Sequence, residues 1–323
     1  MREVPFLSID GIRCGHAQDL ENGTGCTVVL CEEGATAGVD VRGGSPGTRE
    51  TDLLDPANLV EQVHGVFLAG GSAFGLNAAA GIMKYLEERG AGFDVTVARV
   101  PIVTGAVLFD LVAGSPHVRP DEKMGYEACV NAKGKGEILE EGCVGAGTGA
   151  TVGKYLGPQY AMKGGLGTAA YQVGDLIVGA VTAVNCLGDV VDPATGKIIA
   201  GMLDQDRKNI TGTEKALLAA AEKAERTNLF KGNTTIGIVV TNAKLTKAQA
   251  KKIASMAHDG FARSIIPSHT FVDGDTIFVL GTGEVEADLN ALGLLAAKAV
   301  AKSVVSGVTK ARSMYGFPAA TDL

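Results

Sequence analysis

Apolar runs of strand length come in hairpin-like pairs in this chain, and its helical stretches are grouped between those pairs. Residues 26–41, CTVVLCEEGATAGVDV, read as two strands rich in Val and Thr around a Glu-Glu-Gly turn. Residues 175–203 read as a long strand, a polar turn and a returning strand. GVFLAGGSAFGLNAAAGIMKYLEERG is a short strand, a Gly turn and an Ala-rich helix ending at Gly90. Residues 212–227 predict a helix. A second, Lys-rich helix from about Thr246 to Arg263 places Ile253, Met256, Ala257 and Phe261 on one face. DGDTIFVLGTGE adds a turn and a strand, and a long Ala/Val-rich helix follows it. This grouping predicts an α+β layered sandwich over an alternating parallel array. No repeat or linker-like stretch divides residues 1–323, so one domain is expected. With 46% apolar residues, no Trp and 5% aromatics, the core has to be built from Ala, Val, Leu and Ile.

Several function classes are disfavoured at once. A net charge of −7 without a basic run argues against nucleic acid or an anionic membrane as partner. MREVPFLSIDGIRCGH lacks the apolar centre of a signal peptide, and Lys298 and Lys302 interrupt ALGLLAAKAVAKSVVSGV, so a cytoplasmic protein is expected. Six Cys without a CxxC pair and five scattered His predict reduced, buried thiols and no metal site. The Gly-rich stretch GAGTGATVGKYLG invites comparison with a phosphate-binding loop. Thr148 stands where that loop needs its first Gly, Tyr155 stands where it needs Ser or Thr, and no complete GxGxxG is present. A nucleotide-dependent enzyme is therefore disfavoured. GGSAFG mimics a nucleophile elbow at Ser72, but Phe74 replaces its second Gly, which leaves a structural turn.

The polar quartet Gly232-Asn233-Thr234-Thr235 runs directly into the apolar residues Ile236 to Val240. By itself this reads as a turn before a strand. A second reading is chemical. A Thr hydroxyl is a weak nucleophile unless a base lies beside it, and a chain-terminal Thr carries that base as its own α-amine, which ordinarily titrates near ~7.7–8.0. For an internal Thr234 the peptide bond after Asn233 must first be cut, and Thr234 itself can drive this by an N-to-O acyl shift and ester hydrolysis.

The strings GATAGVDVRGGSPGTRETDLL, VFLAGGSAFGL, GAGTGATVGK, AVNCLGDVVDP, GNTTIGIVVTNAKLT and HTFVDGDTIFVLGTGE decide between these readings. Together they resemble, in order and over nearly the whole chain, the self-processing L-aminopeptidase/D-esterase family. That family includes β-peptidyl aminopeptidases and nylon-oligomer hydrolases. The resemblance implies a four-layer αββα sandwich like that of N-terminal-nucleophile hydrolases. It implies cleavage between Asn233 and Thr234 into residues 1–233 and 234–323, which stay together as an αβ unit, and Thr234 as the nucleophile. Thr241 is a rival, but within a strand. Asn185 is implied as an oxyanion donor, Lys154 as an active-site lysine with Lys163 of KGGLGT as its rival, and Asp273 and Asp275 as an acidic pair near the new terminus. Phe109 stands where relatives carry a Tyr that bonds in the site. The implied substrates are short peptides, amino-acid amides or ω-amino-acid oligomers, cleaved without a cofactor by a homo-oligomer, often a tetramer of αβ units. The alternative is a non-catalytic relative that binds a small molecule and stays uncut.

Overall fold

The computed structural model describes residues 1–223 and 232–323. Ten strands form one continuous sheet: β1 (Arg2–Val4), β2 (Arg13–Asp19), β3 (Thr24–Val41), β4 (Thr48–Arg49), β5 (Gln62–Ala69), β6 (Val103–Val107), β7 (Gly165–Val173), β8 (Leu176–Val184), β9 (Ile236–Ala243) and β10 (Thr276–Val285). Their order is β1-β7-β8-β9-β10-β3-β5-β6-β4, with β2 on β3. Neighbours are antiparallel except β9 with β10 and β5 with β6. Five α-helices accompany the sheet among the described residues: α1 (Ala78–Glu87), α2 (Glu122–Val130), α3 (Thr213–Glu222), α4 (Lys247–Ser264) and α5 (Leu289–Thr309).

Strand β3 corrects the expected hairpin at residues 26–41. Glu32-Glu33-Gly34 is a bulge within an 18-residue strand and not a reversal. The first half of β3 pairs with β2 and β5, while residues 36–41 pair with β10. Continuing the strand therefore gives each half its own hydrogen-bonding partners, which a turn would have forfeited. Gly34, at φ +87°, supplies the conformation the bulge needs.

The bulge lets the sheet fold over on itself. Val66 and Leu68 of β5, with Val29 and Cys31 of β3, share one core with Ile236, Ile238 and Val240 of β9 and with Phe278 and Leu280 of β10. The alternate residues of β9 and β10, Val239, Ile277 and Val279, face α4 and α5. Phe67 and Ala69 of β5 face α1 and α2. The period-2 alternation thus serves two cores at once and yields helix, sheet, sheet, helix: the four-layer αββα sandwich. Each fully buried Ile or Val contributes about 1.5–3 kcal/mol.

Local signals account for the helices. Thr246 and Gln249 form a reciprocal capping box that starts α4, one residue after the expected position. Helix α3 ends at Glu222, and residues 224–227 of its expected span lie outside the described residues. The returning strand expected before residue 203, Ile198–Ala200, pairs with Asp189–Val191 instead of with β8. Helix α5 is long and apolar enough to cross a membrane by length and composition, but 67% of that stretch is buried against the sheet and α4. All six cysteines are buried free thiols.

Candidate active site

Strand register brings the site together. Ala183 of β8 pairs with Ile236 of β9, so Asn185, just past the end of β8, meets Thr234, just before β9. The Thr234 N–H donates to the Asn185 carbonyl at 3.0 Å. On the other side Ile236 pairs in parallel with Thr276, which lays residues 233–235 along residues 273–275. The Gly274 N–H donates to the Asn233 carbonyl at 3.1 Å, and the Thr276 N–H donates to the Thr235 carbonyl at 3.2 Å. The Thr234 hydroxyl also donates to the Asn233 carbonyl. Asn233 and Thr234 are both buried.

Close approach explains the Gly-rich strings around this junction. A Cβ on Gly274 would stand 2.8 Å from the Thr234 Oγ1 and from the Ser45 carbonyl oxygen. On Gly43 it would stand 2.3 Å from the Asp275 nitrogen, so the Arg42–Ser45 run can lie flat on the Asp-Gly-Asp turn only with glycine there. Ser45 N–H bonds to the Asp273 carbonyl at 2.8 Å, and Arg42 N–H to the Asp275 carbonyl at 2.9 Å.

Lys154 is drawn in from the Gly-rich loop, whose Gly153 and Lys154 N–H groups bond to the Gly188 and Leu187 carbonyls at 3.0 Å each. Its wholly buried Nζ donates to the Asn185 carbonyl at 2.9 Å, to the Asn185 Oδ1 at 2.8 Å and to the Gly232 carbonyl at 3.1 Å. Burial pulls its pKa down to about 7, against the opposing pull of Asp273 and Asp110. The lysine therefore points into the protein and not into an anion cradle, which removes the phosphate-loop reading.

The Asn185 side chain is oriented by its partners. Its Oδ1 accepts from Lys154 and from the Thr151 N–H at 3.0 Å, and its Nδ2 donates to the Phe109 carbonyl at 3.0 Å. One amide N–H is thereby committed, and the second has no partner among the described residues. Phe109 is half-buried and contributes its backbone oxygen here. Asp273 accepts from the Leu187 N–H at 3.2 Å and from the Thr270 hydroxyl. Burial, reinforced by the like charge of Asp275, raises Asp273 to about 7. Asp275 accepts from the Thr235 N–H at 2.8 Å, and from the His269 N–H and Nδ1 at 2.9 Å each.

The structure thus gathers Thr234, Asn233, Asn185, Lys154, Asp273, Asp275 and the Phe109 backbone around one peptide bond. Lys163 is equally buried but donates to the carbonyls of Gly147, Ala150 and Gly164. Thr241 lies inside β9, its hydroxyl bound to the Ile177 carbonyl at 2.8 Å. Ser72 opens a 3-10 turn at φ +54°, as the turn reading expected. Gly274, Thr151, His269 and Thr270 carry no separate signal in the sequence. Each lies within a string already quoted, and that proximity was the available signal.

The fold has the four-layer architecture of the Ntn-hydrolase type, and the buried junction lies at the head of one of its strands. The chain belongs to peptidase family S58, whose model matches residues 7–321. An uncharacterized aminopeptidase of Mycobacterium leprae is 42% identical over 97% of this chain and 92% of its own length. The 6-aminohexanoate-oligomer endohydrolase of Kocuria sp. (strain KY2) is 32% identical over 88% of this chain and 77% of its own. The L-aminopeptidase D-Ala-esterase/amidase of Ochrobactrum anthropi, an Ntn-hydrolase-fold structure, superposes with a TM-score of 0.73 at 19% identity, over 98% of this chain and 90% of that one.

Proposed function

We propose that this S58 chain is an amide hydrolase that activates itself by cutting between Asn233 and Thr234. The observation that carries the reading is the Thr234 hydroxyl lying against the Asn233 carbonyl while the Gly274 N–H holds the same oxygen. Attack of Oγ1 on the Asn233 carbonyl carbon puts negative charge on that oxygen, where Gly274 donates. Collapse breaks the C–N bond, the Thr234 nitrogen takes the proton that Oγ1 gives up, and Asn233 becomes an ester on Thr234. Water hydrolyses the ester, releasing residues 1–233 with a new carboxylate and residues 234–323 with a free α-amine.

Turnover reuses the parts. The α-amine inherits the place of an N–H that faces the Asn185 carbonyl, which Lys154 also touches. The amine takes the Oγ1 proton as Thr234 attacks a substrate amide and passes it to the departing amine as the C–N bond breaks, leaving an acyl ester on Thr234, while the remaining Asn185 amide N–H serves the oxyanion. Such a donor is typically worth about 2.7–4 kcal/mol. Water then releases the acid.

Aminopeptidase and 6-aminohexanoate-oligomer hydrolase relatives support short peptides, amino-acid amides and linear ω-amino-acid oligomers as the substrate class. The resemblance supports a single domain whose two pieces stay together in a homo-oligomer, a tetramer of αβ units, and the buried free thiols support a cytoplasmic setting.

The test is the intact mass of freshly purified protein beside its Thr234→Ala variant. Two species, one starting at Thr234, are expected for the wild type, and one 33.0 kDa chain for the variant. A wild-type chain that stays whole on prolonged incubation and hydrolyses no amide would overturn the reading in favour of a non-catalytic binding protein.

A further inference from the structure

We infer that His269 is a positioning residue for the nucleophile, acting through Asp275. The inference rests on the self-cleavage reading for its catalytic consequence, but the geometry stands apart from it. Asp275 is buried, and its two oxygens are divided between two tasks. Oδ1 takes the Thr235 N–H at 2.8 Å, one residue beyond the nucleophile, and Oδ2 takes both the backbone N–H and the ring Nδ1 of His269 at 2.9 Å. Because a carboxylate only accepts, Nδ1 is the protonated ring nitrogen in this arrangement. The carboxylate is therefore clamped from one end by His269 and from its other end clamps the head of β9.

Three observations indicate that the local chain is built to make this clamp. His269 sits at φ +57°, a conformation uncommon for residues other than glycine and tolerated best by Asn, Asp and His. That conformation is what lets backbone and ring reach the same oxygen. The ring is fixed by an edge-to-face contact with His258, centroids 4.8 Å apart, and His258 in turn holds the Asp40 carbonyl through Nε2 at 2.9 Å. Finally, the His269 Nε2 is buried without a hydrogen-bond partner among the described residues. The ring works through Nδ1 alone, at the cost of an unmet polar atom on its far side.

That one-sided use gives a discriminating test. The side-chain amide of Asn places a donor where Nδ1 stands and accepts positive φ, whereas Gln places its donor near Nε2, and Gly keeps the backbone N–H but no ring. His269→Asn is expected to cut itself within about threefold of the wild-type rate, while His269→Gly and His269→Gln slow by about thirtyfold or more, with little change in thermal midpoint for Asn and Gly. A Gly variant that cuts at the wild-type rate would overturn the inference, as would an Asn variant as slow as Gly. A second readout does not require cleavage. In the Thr234→Ala background, hydrogen exchange at the Thr235 amide should quicken at least tenfold on His269→Gly and return toward its original rate with Asn. Unchanged exchange overturns the clamp even if the chain proves not to cut itself. A wild-type chain that stays whole while exchange responds overturns the functional reading and leaves the clamp.

Discussion

Lys154 and Lys163 are both wholly buried, both donate three hydrogen bonds, and burial lowers both, to about 7 and about 8. Their surroundings differ in kind. Lys163 spends all three donors on backbone carbonyls of the Gly-rich loop and of its own next residue, and so ties that loop to its neighbour. Lys154 spends two on Asn185 and one on Gly232, two residues before the proposed cut. On the proposed reading, the same side chain at the same depth is a strut in one place and a working group in the other. What separates them is whether the acceptors belong to chemistry or to scaffold.

That contrast can be broken by substitution. Lys154→Met is expected to slow self-cleavage and amide hydrolysis about 10²–10³-fold, read by time-resolved intact mass, beside a stability loss like that at Lys163, since three buried acceptors lose a donor here too. Lys163→Met is expected to lose stability without losing rate. Three buried carbonyls lose one donor each, costing on the order of 2–4 kcal/mol in denaturant unfolding, while the folded fraction cuts itself within about threefold of wild type. If the two variants exchange phenotypes, the assignment of roles is wrong.

Titration sharpens it further. Lys154 falls from its ordinary 10.5 to about 7, so between those values the native state binds fewer protons than the unfolded chain and stability climbs with pH. The stability of Lys154→Met relative to wild type should therefore be highest at pH 7 and below and fall toward 10.5. Asp273 runs the other way. Raised from 3.8 to about 7, it makes the native state bind the extra proton, so its contribution is present below 3.8 and lost as pH rises through 7. Asp273→Asn should thus stabilise above pH 7 by roughly 1–3 kcal/mol, with no gain at pH 4. It should also move the Lys154 titration down while leaving Lys163 in place, since the Asp273 charge acts on Lys154. Amide NMR or pH-resolved denaturation would check both. The smallest effect is expected of Phe109→Tyr. Asn185 is held there by the backbone oxygen, so kcat/KM on a linear amide should change less than about fivefold.

Much of this was legible in residue order. The apolar run after Thr235 is β9, and Thr246 with Gln249 marks the start of α4 because capping is a local matter. What the local signal misread was Glu32-Glu33-Gly34. Gly after two acidic residues looks the same in a turn and in a bulge, and only the distant partners β5 and β10 decide between them. The site was legible through the separated strings and not through any spacing, since Lys154, Asn185 and Thr234 meet only when β8 and β9 pair. His269 stayed hidden because a lone His carries no signal until Asp275 is folded against it.

The position of β9 and β10 has a consequence for molecularity. They lie side by side between β8 and β3, so a cut ahead of Thr234 leaves the carboxyl-terminal piece wedged into a sheet made by the other piece. Before the cut, folding is a first-order event within one chain. Afterwards the same structure can be regained from the denatured state only by the meeting of two chains, so recovery should depend on concentration. The cut enzyme would be held in its shape less by equilibrium than by history.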